Sequence, residues 1–207
     1  MRDQGRIDTA AYHKNYRYII DVLKSEVDQN INNILEIGSG SGQHAIKYAS
    51  AFPDTEIITS DIVSENLTSI KAWIKYSKLT NLQNPFYLDV NEKDWSLNAP
   101  DLLSKNLSLI ISINMVHISP IESAQGLFKG AGNYLGKNGK LILYGPFNRN
   151  GKHTSPSNME FDGWLRSNNP SWGIRDIIQM ENFAKNNGLS LIKDIAMPAN
   201  NLILIFN

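Results

Sequence analysis

Apolar positions along the chain fall into two alternating kinds of pattern. Five short continuous runs, Asn33 to Ile37, Glu56 to Thr59, Phe86 to Leu88, Leu107 to Ile113 and Lys140 to Tyr144, read as buried parallel strands. Between them the spacing is helical. Tyr18, Ile19, Val22 and Leu23 make one stripe, and Ala45, Ile46, Ala49 and Phe52 a second, ended by Pro53. Leu67, Ile70, Trp73 and Ile74 make a third, with Ser64 as its expected N-cap. This alternation predicts an α/β sheet covered by helices on both faces.

From Ile121 to Gly139 a helix is expected through Leu127, Phe128, Ala131 and Leu135, although Gly126, Gly130 and Gly132 each cost about 1 kcal/mol against Ala. Close packing is the expected reason for those glycines. Lys137-Asn138-Gly139 should then turn into the next strand. After Tyr144 the periodicity stops, and Gly145 to Pro156 is dense in turn formers, as expected of a long functional loop. Helices resume near Ser157 to Asn168 and at Ile174 to Asn187, the latter closed by Gly188. Two last apolar runs, Ser190 to Ile195 and Leu202 to Phe206, are joined so closely that only a hairpin fits, which makes the final strand antiparallel. There is no internal repeat or interdomain linker, so residues 1–207 are expected to form one domain, with residues 1–30 a helical segment beside the site.

The segment richest in chemistry is Leu35-Glu36-Ile37-Gly38-Ser39-Gly40-Ser41-Gly42-Gln43-His44, a strand, three alternating glycines and a new helix. Glycine lets the chain turn sharply and brings backbone N–H groups close to a ligand. A dinucleotide fingerprint needs G-x-G-x-x-G, and Gln43 stands where its third glycine belongs. The G-x-G-x-G spacing, with Glu36 two places before Gly38, resembles the S-adenosylmethionine loop of class I methyltransferases. The next strand leads into Thr59-Ser60-Asp61, where a carboxylate can accept from both ribose hydroxyls. The third leads into Leu88-Asp89-Val90, placing Asp89 to accept from an adenine amine, and the fourth into Asn114-Met115-Val116-His117. All lie at carboxyl ends of strands, where α/β sheets bind ligands. Singly, a glycine run is a turn and a strand-end Asp a helix cap; four such features in order point to a nucleoside cofactor. The expected cofactor contacts are Glu36, Gly38, Ser39, Gly40, Gly42, Asp61, Asp89, Val90 and Asn114.

Composition narrows the partners. Lys plus Arg equals Asp plus Glu at 20 each, so the net charge is zero and no electrostatic track for a phosphate backbone is expected. Cys is absent, which excludes disulfides and thiolate-bound metals. Met1-Arg2-Asp3-Gln4-Gly5-Arg6 leads into no apolar signal stretch, and the expectation is a cytoplasmic protein.

Taken together, several segments resemble the DUF938 family of methyltransferase-like proteins, the methyltransferase-like protein 26 type. They are the glycine segment above, Ile113-Asn114-Met115-Val116-His117-Ile118-Ser119-Pro120, Gly126 to Gly132, Leu143-Tyr144-Gly145-Pro146-Phe147, His153 to Asn158, Trp172-Gly173-Ile174-Arg175-Asp176 and Met197 to Leu202. They extend from about Ala11 to the C-terminus; Asn15 fits the family pattern, while its neighbours diverge. The resemblance implies a class I methyltransferase fold, a seven-stranded sheet in the order 3-2-1-4-5-7-6 with S-adenosylmethionine as cofactor. It implies no acceptor.

Methyl transfer from a sulfonium is an in-line displacement, so the protein must align the reactants, and a base is needed only for a protonated acceptor. Three histidines fall on loops at the carboxyl edge, His44, His117 and His153, and are the expected catalytic residues; His44, at a helix N-terminus, should be neutral. Tyr144, Asn148, Trp172 and Asn200 are the expected acceptor contacts, although aromatics often serve the core and Asn suits turns. Asn114-Met115-Val116-His117 lacks the Pro-Pro-aromatic signature of DNA amino-methylases, and no carboxylate cluster suggests a Mg²⁺ site. The expected activity is methylation of a small molecule. The alternative is a non-catalytic cofactor-binding sensor or interaction protein, and a nicotinamide reductase stands third.

Overall fold

The computed structural model describes residues 5–28, 31–99, 101 and 106–207. Residues 1–4 and 29–30 of the expected N-terminal segment lie outside the described residues. The elements run α1 (Ala10–Glu26), β1 (Asn33–Ile37), α2 (Gln43–Ala51), β2 (Glu56–Asp61), α3 (Ser64–Ser77), β3 (Phe86–Tyr87), β4 (Leu107–Ile113), α4 (Ile121–Tyr134), β5 (Leu135–Gly145), β6 (Phe147–Asn148), α5 (Pro156–Asn168), β7 (Arg175–Asp176), α6 (Ile177–Lys185), β8 (Leu191–Met197) and β9 (Asn201–Phe206). The main sheet has seven strands in the order β3-β2-β1-β4-β5-β9-β8. With the two-residue β6–β7 pair set aside, this is the expected 3-2-1-4-5-7-6, and β9 is antiparallel to both neighbours.

The continuous apolar runs arise because both faces of the central strands are buried. Leu35, Ile110, Leu141, Leu143 and Leu204 enter the cluster that includes Phe128 of α4 and Met180 of α6. Their neighbours Ile34, Leu109, Ile111, Ile142 and Ile205 enter the opposite cluster with Ile19 and Leu23 of α1 and Tyr48 of α2. A bulge at the start of β4 breaks the alternation, since Leu107 pairs with Leu135 and Leu109 with Lys140. The expected turn at Lys137–Gly139 is therefore the looped-out part of β5 itself, and the α4 helix stops at Tyr134.

The glycines of α4 are contact points. A Cβ on Gly130 would stand 1.9 Å from the Trp95 ring, on Gly126 2.4 Å from the Val90 carbonyl oxygen, and on Gly132 2.4 Å from that of Asn187. Other expectations are corrected. Ser64 is the first residue of α3, whose cap position is Val63, fixed by a hydrogen bond from the Val63 N–H to Asp61 Oδ1 at 2.9 Å. Tyr18 is exposed, and the buried face of α1 is Tyr12, Asn15, Ile19 and Leu23. The segment from Gly145 to Pro156 is ordered by β6, a turn closed by the Arg149–Lys152 bridge, and Ser155, which caps α5 through the Asn158 N–H. No helix among the described residues is long and apolar enough to cross a membrane.

Candidate active site

The glycine loop is held from behind. Gly38, Gly40 and Gly42 have φ of 66°, 56° and 87°, in the left-handed region that an L side chain enters only at a cost. The Ser39 N–H donates to the Ser60 carbonyl at 2.9 Å and the Ser39 hydroxyl to the Glu36 carbonyl at 3.2 Å, which tie the loop to β1 and β2. A Cβ on Gly42 would meet Ile70 Cγ1 at 2.8 Å, so α2 and α3 pack across it, whereas a Cβ on Gly40 would meet nothing within 4 Å. The one open glycine faces a cavity of about 210 Å³ whose wall includes Gly38, Gly40, Asp61, Asp89, Val90 and Met115.

Asp61 is buried, its Oδ2 accepting from the Gly40 N–H at 2.8 Å and its Oδ1 from the Val63 N–H at 2.9 Å. An ionised carboxylate has about four acceptor sites, so two remain for a pair of hydroxyls. Asp61 thus both shapes the loop and retains acceptor capacity. Asp89 Oδ1 accepts from the backbone and side-chain amides of Asn91, and the residue stays half-exposed on the cavity wall. Glu36 and Ser39 are buried behind the loop and line neither this cavity nor the next. Burial pushes the Glu36 carboxyl up to about 8, beside Ser39 and the Tyr48 hydroxyl, and its Oε2 has no partner among the described residues.

A second cavity of about 530 Å³ adjoins the first, with Ile118 in the wall of both. Its walls come from α1 (Ala11, Lys14, Asn15), β5 and the residue after it (Tyr144, Pro146), α5 (Ser157, Asn158, Phe161) and the β8–β9 turn (Pro198, Ala199, Asn201). Asn114, expected at the cofactor, lines this second cavity instead; its φ of 60° turns the chain after β4, and its N–H donates to the Tyr144 carbonyl at 2.8 Å. Ala199 and Asn200 both have φ of 58°, the geometry of a tight hairpin. That turn is pinned to α5, because Asn158 Nδ2 donates to the Asn200 carbonyl at 3.0 Å and Asn200 Nδ2 to the Ser157 hydroxyl at 3.2 Å.

The three histidines do not converge, and none lines either cavity. His44 Nε2 lies 2.9 Å from Asn15 Oδ1, edge-on to Tyr12, and burial holds its imidazole down to about 4, so it is neutral. Asn15 in turn reaches the Tyr144 hydroxyl, which also meets Asn201. His117 is completely buried against Phe147, with Nδ1 accepting from the Arg175 N–H at 3.3 Å; burial, then Arg175, lowers it to about 3. Gly145 exists for this packing, since a Cβ there would stand 2.6 Å from His117 Nε2. His153 faces Asp162 at 3.8 Å. Asn148 Nδ2 is spent 3.5 Å from the Ile174 carbonyl, and Trp172 sits in the turn before β7 with its N–H on the Asn169 carbonyl. The expected pocket formed by His117, His153, Asn148 and Trp172 is thus corrected: none of the four lines either cavity, and the side chains of His117, His153 and Asn148 meet β6, β7, α5 or the residue before β7. Helix α1 takes their place.

Asn15, Asn158 and Phe161 were missed. Asn15 had a readable signal, a polar residue at i+3 from Tyr12 and i−4 from Ile19 on an otherwise apolar face. Among the described residues no group of three His, Asp or Glu side chains is arranged to hold a metal.

Comparison with known proteins follows the same lines. Residues 6–207 match the model of the family described as "Protein of unknown function (DUF938)". A "Bifunctional methyltransferase" of Rickettsia prowazekii (strain Madrid E) is 31% identical over 137 residues, covering 58% of this chain and 26% of the relative. The chain thus spans about a quarter of the length of this relative. Among solved structures, an O-methyltransferase family protein from Burkholderia thailandensis superposes with a TM-score of 0.77 at 12% identity, over 95% of this chain and 57% of the other. PigF with SAH superposes with a TM-score of 0.71 at 14% identity, over 90% and 53%. At these identities the structural likeness concerns the fold.

Proposed function

The chain belongs to the DUF938 family, and from that premise we propose that it is an S-adenosylmethionine-dependent methyltransferase acting on a small molecule. The observation that carries the reading is Asp61 with the open face of Gly40: a buried carboxylate with free acceptor sites beside the one loop glycine whose missing Cβ leaves clear space. The methyltransferase relative and the neighbour solved with SAH support the same cofactor. Bound there, the cofactor supplies an electrophilic methyl carbon on a sulfonium sulfur.

In this reading Gly38 and Gly40 admit the cofactor, Asp61 accepts from its ribose, and Asp89 and Val90 border its base. Glu36, Ser39 and Gly42 set the loop's shape from behind. The acceptor lies in the second cavity, bounded by Tyr144, Asn114 and the turn that carries Asn200, with His44 acting on the wall only through Asn15. The whole chain serves as one catalytic domain of the cytoplasm, and zero net charge argues against a nucleic-acid partner. Calorimetry with S-adenosylmethionine, S-adenosylhomocysteine, NAD and NADP tests the cofactor. Heat from the first two only is expected, and heat from NAD alone would sink the reading. A purely binding role predicts the same heats with no methyl transfer to any acceptor.

A further inference from the structure

We infer that the second cavity takes a small organic carboxylate with an apolar body and that the methyl group is transferred to its carboxylate oxygen. The inference rests on the methyltransferase reading above and adds the acceptor class.

Three features of the cavity carry it. First, among the described residues its only ionic side chain is a cation: Lys14 lines it, and neither Asp nor Glu does. An ammonium acceptor would find no counter-charge there, whereas an anion finds Lys14 together with amide and hydroxyl donors from Asn15, Asn114, Tyr144 and Ser157. Second, apart from the amides of Asn158 and Asn201 the rest of the wall is apolar and includes Phe161, which stacks on Trp164 with ring centroids 5.8 Å apart and leaves both rings partly exposed. A carbon skeleton, ring or chain, can lie against that surface.

Third, the described residues of the cavity wall include no base. Its titratable side chains are Lys14 and Tyr144, and burial raises the Tyr144 hydroxyl further from ionisation. His44 is separated from the cavity by Asn15, and neither His117 nor His153 lines it, although His117 Nε2 and His153 Nδ1 are buried without a hydrogen-bond partner among the described residues. An alcohol or an ammonium must lose a proton during transfer, and nothing in the wall is placed to receive it. A carboxylate is already ionised at neutral pH and needs no base. Its oxygen forms the new bond to the methyl carbon as the carbon–sulfur bond breaks and that electron pair returns to sulfur. One anion and one sulfonium become a neutral methyl ester and a neutral thioether, and no proton moves.

The test uses the full chain and two readouts. Calorimetry with S-adenosylhomocysteine comes first; if it does not bind, the methyltransferase reading fails on its own account. With that ligand saturating, benzoate and hexanoate are titrated against benzylamine and hexylamine, their cationic counterparts. The carboxylates should bind more tightly by roughly tenfold. Lys14→Met should weaken them roughly two- to fivefold, as for one exposed charge pair, and leave S-adenosylhomocysteine affinity unchanged. In turnover with S-adenosylmethionine the product should be a methyl ester, recognised by its mass and by methanol released in alkali. Amines binding as tightly as carboxylates, no carboxylate binding at all, or transfer to an amine or alcohol instead would each overturn the proposal.

Discussion

The glycine-loop cavity is walled by strand ends and the backbone that follows them, whereas the second cavity is walled largely by side chains of α1, α5 and the β8–β9 turn. In the first, most parts come from the ends of β1, β2, β3 and β4 and the turns just after them, and the parallel sheet brings those turns to one edge automatically. In the second, Lys14, Tyr144, Asn158 and Asn201 are remote in sequence and meet only because two helices and a hairpin dock there. The first site therefore follows from the architecture, and the second from contacts between distant segments. Gly42 is fixed by backbone conformation as well as contact, and Gly40 by conformation alone.

The largest expected effect is at Gly42. Gly42→Ala pays the left-handed strain of about 1–2 kcal/mol and an overpacking term of about 1–3 kcal/mol against Ile70. Gly40→Ala pays the strain alone, because its Cβ meets nothing. Chemical denaturation of both variants should rank them in that order; equal losses would mean that the α2–α3 contact is loose.

Next comes Asp61→Ala, expected to weaken S-adenosylhomocysteine binding by about 1.5–3 kcal/mol, the range for bonds to a charged group. The fold should survive with a lowered melting temperature, since the Gly40 and Val63 amides lose their acceptor. A melting temperature that falls while calorimetric affinity holds would make Asp61 only a loop anchor.

The cavities also differ in the group that titrates behind them. Glu36, raised to about 8, takes up a proton on folding, so its contribution is complete below pH 4.5 and is lost as pH rises to about 8. His44 and His117, lowered to about 4 and about 3, shed protons on folding, so theirs is present above pH 6.5 and lost as pH falls toward 4 and 3. From these three groups stability should peak near pH 6.5 in thermal unfolding scans. Glu36→Gln should flatten the alkaline limb and leave the acid limb; an unchanged alkaline limb would mean that Glu36 is ionised in the native protein.

The smallest expected effect is the one most specific to the second cavity. Tyr144→Phe removes the hydroxyl shared with Asn15 and Asn201 and should weaken benzoate binding by about 0.5–1.5 kcal/mol. Affinity for S-adenosylhomocysteine should stay within about 0.5 kcal/mol. Equal losses for both ligands would erase the division into two sites.

How far the sequence was readable follows the same division. The strand runs from Asn33 to Tyr144 and the final hairpin were visible because both-sided burial leaves an unbroken apolar signature. The bulge at Leu107 and Leu109 was not, because a register shift leaves no change in composition. Gly38, Gly40, Asp61, Asp89 and Val90 were found together because spacing after a strand determines where a side chain or an open backbone stands. His117 and His153 were misplaced because a polar residue in a loop looks the same whether it meets a ligand or, like His117, lies completely buried under Phe147.

By itself, then, the sequence determined the layer order and the glycine-loop edge, since strand period, glycine spacing and chain connectivity are local quantities that the chain carries wherever it folds. Only the tertiary structure decided which polar groups line the second cavity. That depended on α1 settling its Asn15 between His44 and Tyr144, and on α5 holding the Ala199–Asn200 turn. Those are contacts between distant segments, selected by packing and by the need of buried polar groups for partners, and no local pattern encodes which distant partner a buried polar group will find.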